Sequence, residues 1–251
     1  MHSPIRSVPR RGRDHRGLNV ARWHGEVDVV VVTPRIDQPP PGADEVALQV
    51  QRLATTGVRR ILTGALHTHE LGPFLANGFH THERLVLLRH DLDPSSSPPA
   101  GGSRIRRAWR RDHADVLLLD NRAFDQFWAL DDAGLHDAVA ATPITRFRVA
   151  TGRRGALVGY AVTGRAGDQG YLQRLAVDPD YQRHGTATAL VADSLAWLRR
   201  TGARAAVVNT QDANLAALAL YERCGFTVEP SGLTVLARDL APGSASAAGT
   251  R

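Results

Sequence analysis

The spacing of apolar and polar positions switches repeatedly between two periods, and each switch marks an element. Val27–Val32 reads as an apolar strand closed by Thr33-Pro34. Over 44–56, Val46, Val50 and Leu53 recur four and three apart, which predicts an amphipathic helix ended by Gly57. Arg60–Thr63 predicts a short strand, His69–Asn77 a helical turn or two stopped by Gly78, and His80–Leu88 a returning strand.

A longer series follows. Ile105–Ala108 reads as a short strand, and 112–127 and 131–141 as helices, the second closed by Pro143. Arg146–Ala150 and Ala156–Thr163 predict an antiparallel hairpin turning through 151–155. Tyr171–Val177 is a strand bounded by Asp178-Pro179. Apolar residues at 187, 190, 191, 195 and 198 then give a strong helical stripe over Ala187–Arg200. Gly202, a strand over Ala205–Asn209, a helix over Asn214–Arg223 stopped by Gly225, and a last strand over Thr234–Leu240 complete it.

The first series overlays the end of the second. Pro34 to Pro179 and Gly57 to Gly202 are both 145 residues, Gly78 to Gly225 is 147, and Leu92 to Leu240 is 148. Matched punctuation of this kind indicates a duplicated half-domain; chance likeness of two βαβαβ units is the alternative. Residues 93–103, DPSSSPPAGGS, have linker composition, and 241–251 read as a disordered tail. The blocks are therefore 18–92 and 104–240.

Composition narrows the classes. An apolar fraction of 43% suffices for a packed core, and no run approaches the ~18 residues of a membrane span. A single cysteine, Cys224, excludes an internal disulfide framework and a cysteine-rich zinc site, and fits a reducing bacterial cytoplasm. All 31 basic residues are arginine, which is read as coding bias. Arg6, Arg10, Arg11, Arg13 and Arg16 against Asp14 put +4 of the net +6 into residues 1–17, an arm too polar to bury itself. Nucleic-acid binding through that arm is disfavoured, because no aromatic residues interleave with its arginines.

Two stretches carry chemistry. In Leu172–Leu190, LQRLAVDPDYQRHGTATAL, a strand ends at Val177 and a turn leads through Gln182-Arg183-His184-Gly185-Thr186-Ala187 into a long helix. Amides at a helix start, with the helix dipole, suit phosphate, and small residues let it approach; a purely structural turn has the same spacing. In NLAALALYERCGF, Asn214 and Tyr221 share a helix face two turns apart. That pattern also fits an N-cap and a core aromatic.

Together, in order and at these spacings, the stretches resemble the GNAT superfamily of N-acetyltransferases over about 104–240. Gln182–Ala187 matches its Q/R-x-x-G-x-G/A loop, and Leu175-Ala176-Val177-Asp178-Pro179 the strand end before it. Asn214, Ala217, Leu220, Tyr221, Gly225 and Phe226 match N-x-x-A-x-x-L-Y-x-x-x-G-F. The resemblance implies an α/β fold with a mixed, mostly antiparallel central sheet and flanking helices, beside a smaller half-domain of the same kind. It implies acetyl-CoA as cosubstrate, no metal, and transfer to a primary amine of a small molecule or peptide in a ternary complex. The backbone of Arg183, His184, Gly185, Thr186 and Ala187, opened by Gln182, is expected to hold the pyrophosphate. Leu175, Ala176 and Val177 would pair with the pantetheine arm, the strand splaying from Ala205–Asn209. Asn214 would touch the arm, and Tyr221 would protonate the leaving thiolate.

The general base is the gap. The position that often carries a glutamate is Gln173; Asp120, Asp125, Asp168 and Tyr171 stay open as substitutes, directly or through water. The small block departs from the family, with Gln38-Pro39-Pro40-Pro41-Gly42 at the loop position and Phe74 near the tyrosine position. His67, His69, His80 and His82 read as surface histidines, and Cys224 as a buried small hydrophobe. Acidic residues over 120–132 hint at a cationic acceptor, though helix capping explains them equally well. A non-catalytic acyl-CoA sensor is the competing function. Monomer and homodimer both remain open.

Overall fold

The computed structural model describes residues 17–23, 26–35, 38–92, 104–152 and 155–240. Residues 1–16 of the basic arm, the 93–103 linker and the 241–251 tail lie outside the described residues. No helix among the described residues is long and apolar enough to cross a membrane.

The chain forms two compact units. The first comprises the described residues up to 84 together with 233–240. Its strands are β1 (Leu18–Arg22), β2 (Val29–Pro34), β3 (Arg60–Thr63), β4 (Leu66–His67) and β12 (Leu233–Asp239), with helices α1 (Ala43–Ala54) and α2 (Gly72–Leu75). β1 runs antiparallel to β2, β2 parallel to β3, and β3 antiparallel to β12. Val46, Val50 and Leu53, the stripe read from sequence, bury α1 against Val30, Val32, Ile61, Phe74 and Leu236. β1 was not expected, because five alternating residues after a basic arm give too short a period-two signal.

The second unit spans 85–232. It holds the Leu85–Asp91 part of β5 (His80–Asp91), followed by β6 (Arg104–Arg107), β7 (Ile144–Thr151), β8 (Leu157–Ala166), β9 (Gln169–Val177), β10 (Ala205–Gln211) and β11 (Thr227–Val228). Its sheet order is β5-β10-β9-β8-β7-β6, with β11 on β5. Among its described strands only β9 and β10 pair in parallel. The mixed, mostly antiparallel sheet with flanking helices is thus as expected. α3 (His113–Ala123) and α4 (Asp132–Ala140) pack on one face through Val116, Leu119, Leu135, Tyr160 and Val162. α5 (Thr186–Arg200) and α6 (Leu215–Arg223) share the opposite core through Val191, Leu195, Leu198, Leu220 and Tyr221.

The units do not follow the sequence blocks. The first block supplies the strand that pairs with β10, and the second block supplies the strand that pairs with β3. The registers are equivalent: Ala205↔Asp91, Ala206↔His90 and Val207↔Arg89 in one, Arg60↔Asp239, Ile61↔Arg238 and Leu62↔Ala237 in the other. Leu92 N–H bonds Arg204 O at 3.0 Å, and Leu240 N–H bonds Arg59 O at 2.8 Å. These are the repeat partners matched above, so each half closes with the other's last strand. Linear reading missed this because two strands with equivalent bonding patterns can trade places.

The start of α3 is fixed by charge. Arg106 grips Asp112 through two hydrogen bonds of 2.7 and 2.8 Å. That guanidinium, with the Trp109 amide, pulls the carboxyl down to about 2 against its burial. A folded value below the unfolded one (about 3.9) means the pair stabilises above that value and fails as pH falls through about 2. Asp112→Asn should therefore cost about 1–2 kcal/mol at neutral pH, with the gap to wild type closing in acid unfolding curves.

Candidate active site

The β9–β10 ladder has three rungs, Ala205↔Gln169, Ala206↔Gly170 and Val207↔Tyr171. β9 then continues six residues to Val177, and β10 four to Gln211, without pairing to each other. Both strands keep their outer partners, β8 and β5. The parallel pair therefore opens into a fork whose β9 edge over Leu175, Ala176 and Val177 has no β10 partner. Ala176 is buried, and Leu175 and Val177 are half-buried.

Beyond the fork, Asp178 caps Asp180 N–H at 3.0 Å, and a 3-10 turn over Pro179–Tyr181 leads to α5. Arg122 on α3 pairs with Asp178 and Asp180 at 2.9 and 2.7 Å, pinning this turn. Gln182, Arg183, His184 and Gly185 are exposed. Arg183 has φ 65° and Gly185 φ 76°, two left-handed residues that reverse the chain at the helix start. A side chain at Gly185 would meet open space, so its glycine serves backbone conformation. Gly185 is the N-cap of α5 and supplies no side-chain cap, and the first turn has no acidic residue. Helix geometry leaves the amides of such a turn without intrahelical acceptors. Thr186 is buried and Ala187 half-buried. A helix start of this kind suits an anion.

The corresponding start of α1 does not. Glu45 accepts from Gly42 N–H at 3.0 Å, and Asp44 adds a second carboxylate. The β2–β3 ladder runs four rungs to Thr63, the end of β3. Among its described residues that unit shows neither an open fork nor a helix start free of carboxylates, and Phe74 is fully buried in its core.

Asn214 is the N-cap of α6, accepting from Ala217 N–H at 3.1 Å. Tyr221 is 6% exposed and packs with Leu172, Leu175 and Val208, residues just past the last rung. Tyr221 thus shares a core cluster with the first residues past the ladder on both strands, Leu172 and Val208. Burial raises its pKa, with Cys224 adding to that and the Arg174 charge opposing it.

Of the alternatives for the base, Asp120 and Asp125 are engaged in hydrogen bonds and Asp168 lies away from the fork. Asp120, wholly buried, accepts from Arg174 Nε and Nη2 at 2.9 and 2.8 Å, from Leu130 N–H at 2.7 Å, and from the Tyr160 hydroxyl. Arg174 also donates to Trp128 O at 2.8 Å and lies 3.5 Å over Phe124. Asp125 bonds Trp128 N–H, and Asp131 caps α4 through Gly134 N–H. Asp168 sits at the opposite end of β9, exposed, 3.9 Å from Arg204. Tyr171 forms the last rung, and burial raises its pKa. The hint of a cationic acceptor thus dissolves into capping and one internal ion pair. Gln173 is 9% exposed against Thr142 and Gly164. Sequence reasoning missed Arg122, Arg174 and Asn209. A charged residue inside an apolar strand was the available signal for Arg174. Among the described residues, no group of three or more His, Cys, Asp or Glu could hold a metal.

Residues 105–226 match the family described as Acetyltransferase (GNAT) family. The chain carries a GNAT acetyltransferase domain. The GNAT match includes the fork, the α5 loop and α6. Over 74 residues the chain is 36% identical to [Ribosomal protein bS18]-alanine N-acetyltransferase of Escherichia coli (strain K12), covering 30% of this chain and 50% of that protein. It is 45% identical over 58 residues to mycothiol acetyltransferase of Geodermatophilus obscurus, covering 23% and 19%. The chain thus spans half or less of the length of these curated relatives. A tandem GNAT protein from the clavulanic acid biosynthesis pathway superposes with TM-score 0.66 over 90% of this chain and 79% of its own, at 15% identity. That likeness shows the fold across both units.

Proposed function

We propose that this chain is an acetyl-CoA-dependent N-acetyltransferase acting on a primary amine of a small molecule or peptide. The observation that carries the reading is the fork, whose β9 arm leads into a helix start where Gly185 supplies no side-chain cap. The amides from Arg183 to Ala187 would hold the diphosphate of coenzyme A, with Gln182 opening the loop. The free edge of Leu175, Ala176 and Val177 would pair with the pantetheine arm, with Asn214 beside it. The amine nitrogen bonds the acetyl carbon, and the C–S bond breaks after a tetrahedral intermediate. A backbone N–H near Val177 steadies the oxyanion. Tyr221 gives its proton to the departing sulfur; its burial keeps it protonated at neutral pH and makes a bare thiolate costly there.

Calorimetry with coenzyme A, and acetyl-CoA turnover with an amine panel, test this. Gly185→Val should weaken coenzyme A binding about 5–30-fold, the equivalent of the roughly 1–2 kcal/mol that a left-handed conformation costs a side-chain-bearing residue. Unchanged affinity would remove the loop from the site. A second reading, an acyl-CoA sensor, is favoured by the engaged Asp120 and the amide at Gln173. It requires tight binding without turnover.

A further inference from the structure

Two residues past the last rung Tyr171↔Val207, each strand of the fork bears an amide side chain on the α3–α4 face. On β10, Ala206 and Val208 pack with the α5–α6 core, so Asn209 turns to the other face. On β9, Gln173 is the residue skipped in the β8 register, which passes from Thr163↔Leu172 to Val162↔Arg174. Such a bulge re-aims a side chain. Gln173 reaches Thr142, donating from Nε2 at 3.3 Å. Gly164 makes room for it: a Cβ there would stand 2.6 Å from Nε2.

Gln173 Oε1 and Asn209 Nδ2 are both buried with no hydrogen-bond partner. One is an acceptor and the other a donor, and both follow the last rung by two residues. Buried polar atoms are rarely left unpaired, and at a site they mark where a ligand's groups belong. We infer that they form the acceptor clamp, with Gln173 Oε1 taking an N–H of the attacking amine and Asn209 Nδ2 donating to a carbonyl oxygen on the same molecule. The inference rests on the acetyl-transfer reading above. The substrate class is an α-aminoacyl group with a neutral carbonyl, such as a peptide N-terminus. A free carboxylate would want a cation, and Arg174, the buried cation on this face, is committed to Asp120 and Trp128 O. Neither amide takes a proton, so the amine reacts in its unprotonated form. Its surplus proton leaves to water as Tyr221 protonates the sulfur.

The experiment uses the full chain, acetyl-CoA, a short peptide with a free α-amine, and the same peptide with its first carbonyl reduced to methylene. Wild type should favour the carbonyl peptide at least about tenfold in kcat/KM, since a site built to pair a polar group rejects the analogue lacking it. Asn209→Asp, nearly the same shape, should raise the KM for the carbonyl peptide only, with the KM for acetyl-CoA unchanged. Gln173→Leu should raise the KM for both acceptors, and Gln173→Glu should restore it. Equal use of both acceptors by wild type, or an equal effect of Asn209→Asp on both, overturns the clamp. The wild-type comparison decides even if a variant fails to fold. Loss of coenzyme A binding, or binding without any turnover, overturns the transferase reading instead.

Discussion

Tyr221→Phe is expected to lower kcat by about 10²–10⁴-fold, the usual worth of a positioned general acid, with acetyl-CoA affinity nearly unchanged. The substitution removes one oxygen from a side chain that is 6% exposed and whose ring lies 5.6 Å from Phe226. The packing survives, so a fall in rate reports the proton and not the fold. The sign of the pKa shift adds a second check. Burial pushes the phenol up from its ordinary value. Its donor form therefore persists at alkaline pH, and kcat of the wild type should not decline up to about pH 10, where an unperturbed tyrosine would be half ionised. An alkaline limb below that, or a phenylalanine variant with full kcat, would assign the proton to another group. Tight binding with no turnover in either protein would favour the sensor.

Much of the second unit was legible because its elements are long and periodic. The α5 stripe, the Asp178-Pro179 stop and the α6 run each fall within a few residues of their expected bounds. The fork was foreseen only through family resemblance. Nothing in the letters of β9 or β10 says that their ladder stops at Val207, since both stretches read as ordinary strands. The face of Asn209 was hidden for a related reason. Its polarity read as a strand end, whereas β10 runs on to Gln211. Asp120 illustrates a deeper limit. A carboxylate on a predicted helix cannot be told from a base until its partners from β8, β9 and the α3–α4 connection are in place. The exchanged last strands are harder still, because pairing partners far apart in sequence leave no local trace.

The second large effect should fall on stability. Asp120→Ala is expected to destabilise the 85–232 unit by about 3–5 kcal/mol, the range for removing one partner of a buried ion pair. Arg174, with only 14% of its side chain exposed, would keep its charge without the carboxylate that pairs it, and the Leu130 amide and Tyr160 hydroxyl would lose their acceptor. Burial alone would lower the Arg174 pKa, and Asp120 and Tyr160 together more than offset it, so removing the carboxylate strips away part of what holds the charge. Urea unfolding followed by tryptophan fluorescence measures this, Trp128 and Trp197 both lying in that unit. Asp120→Leu combined with Arg174→Met should recover much of the loss, since replacing both charges leaves neither one stranded. That double variant also separates two roles. A protein restored in stability but with an altered kcat would show that the Arg174 charge, which acts on the Tyr221 phenol, tunes the proton donor as well as holding α3 to β9. Full recovery of both would confine the pair to architecture.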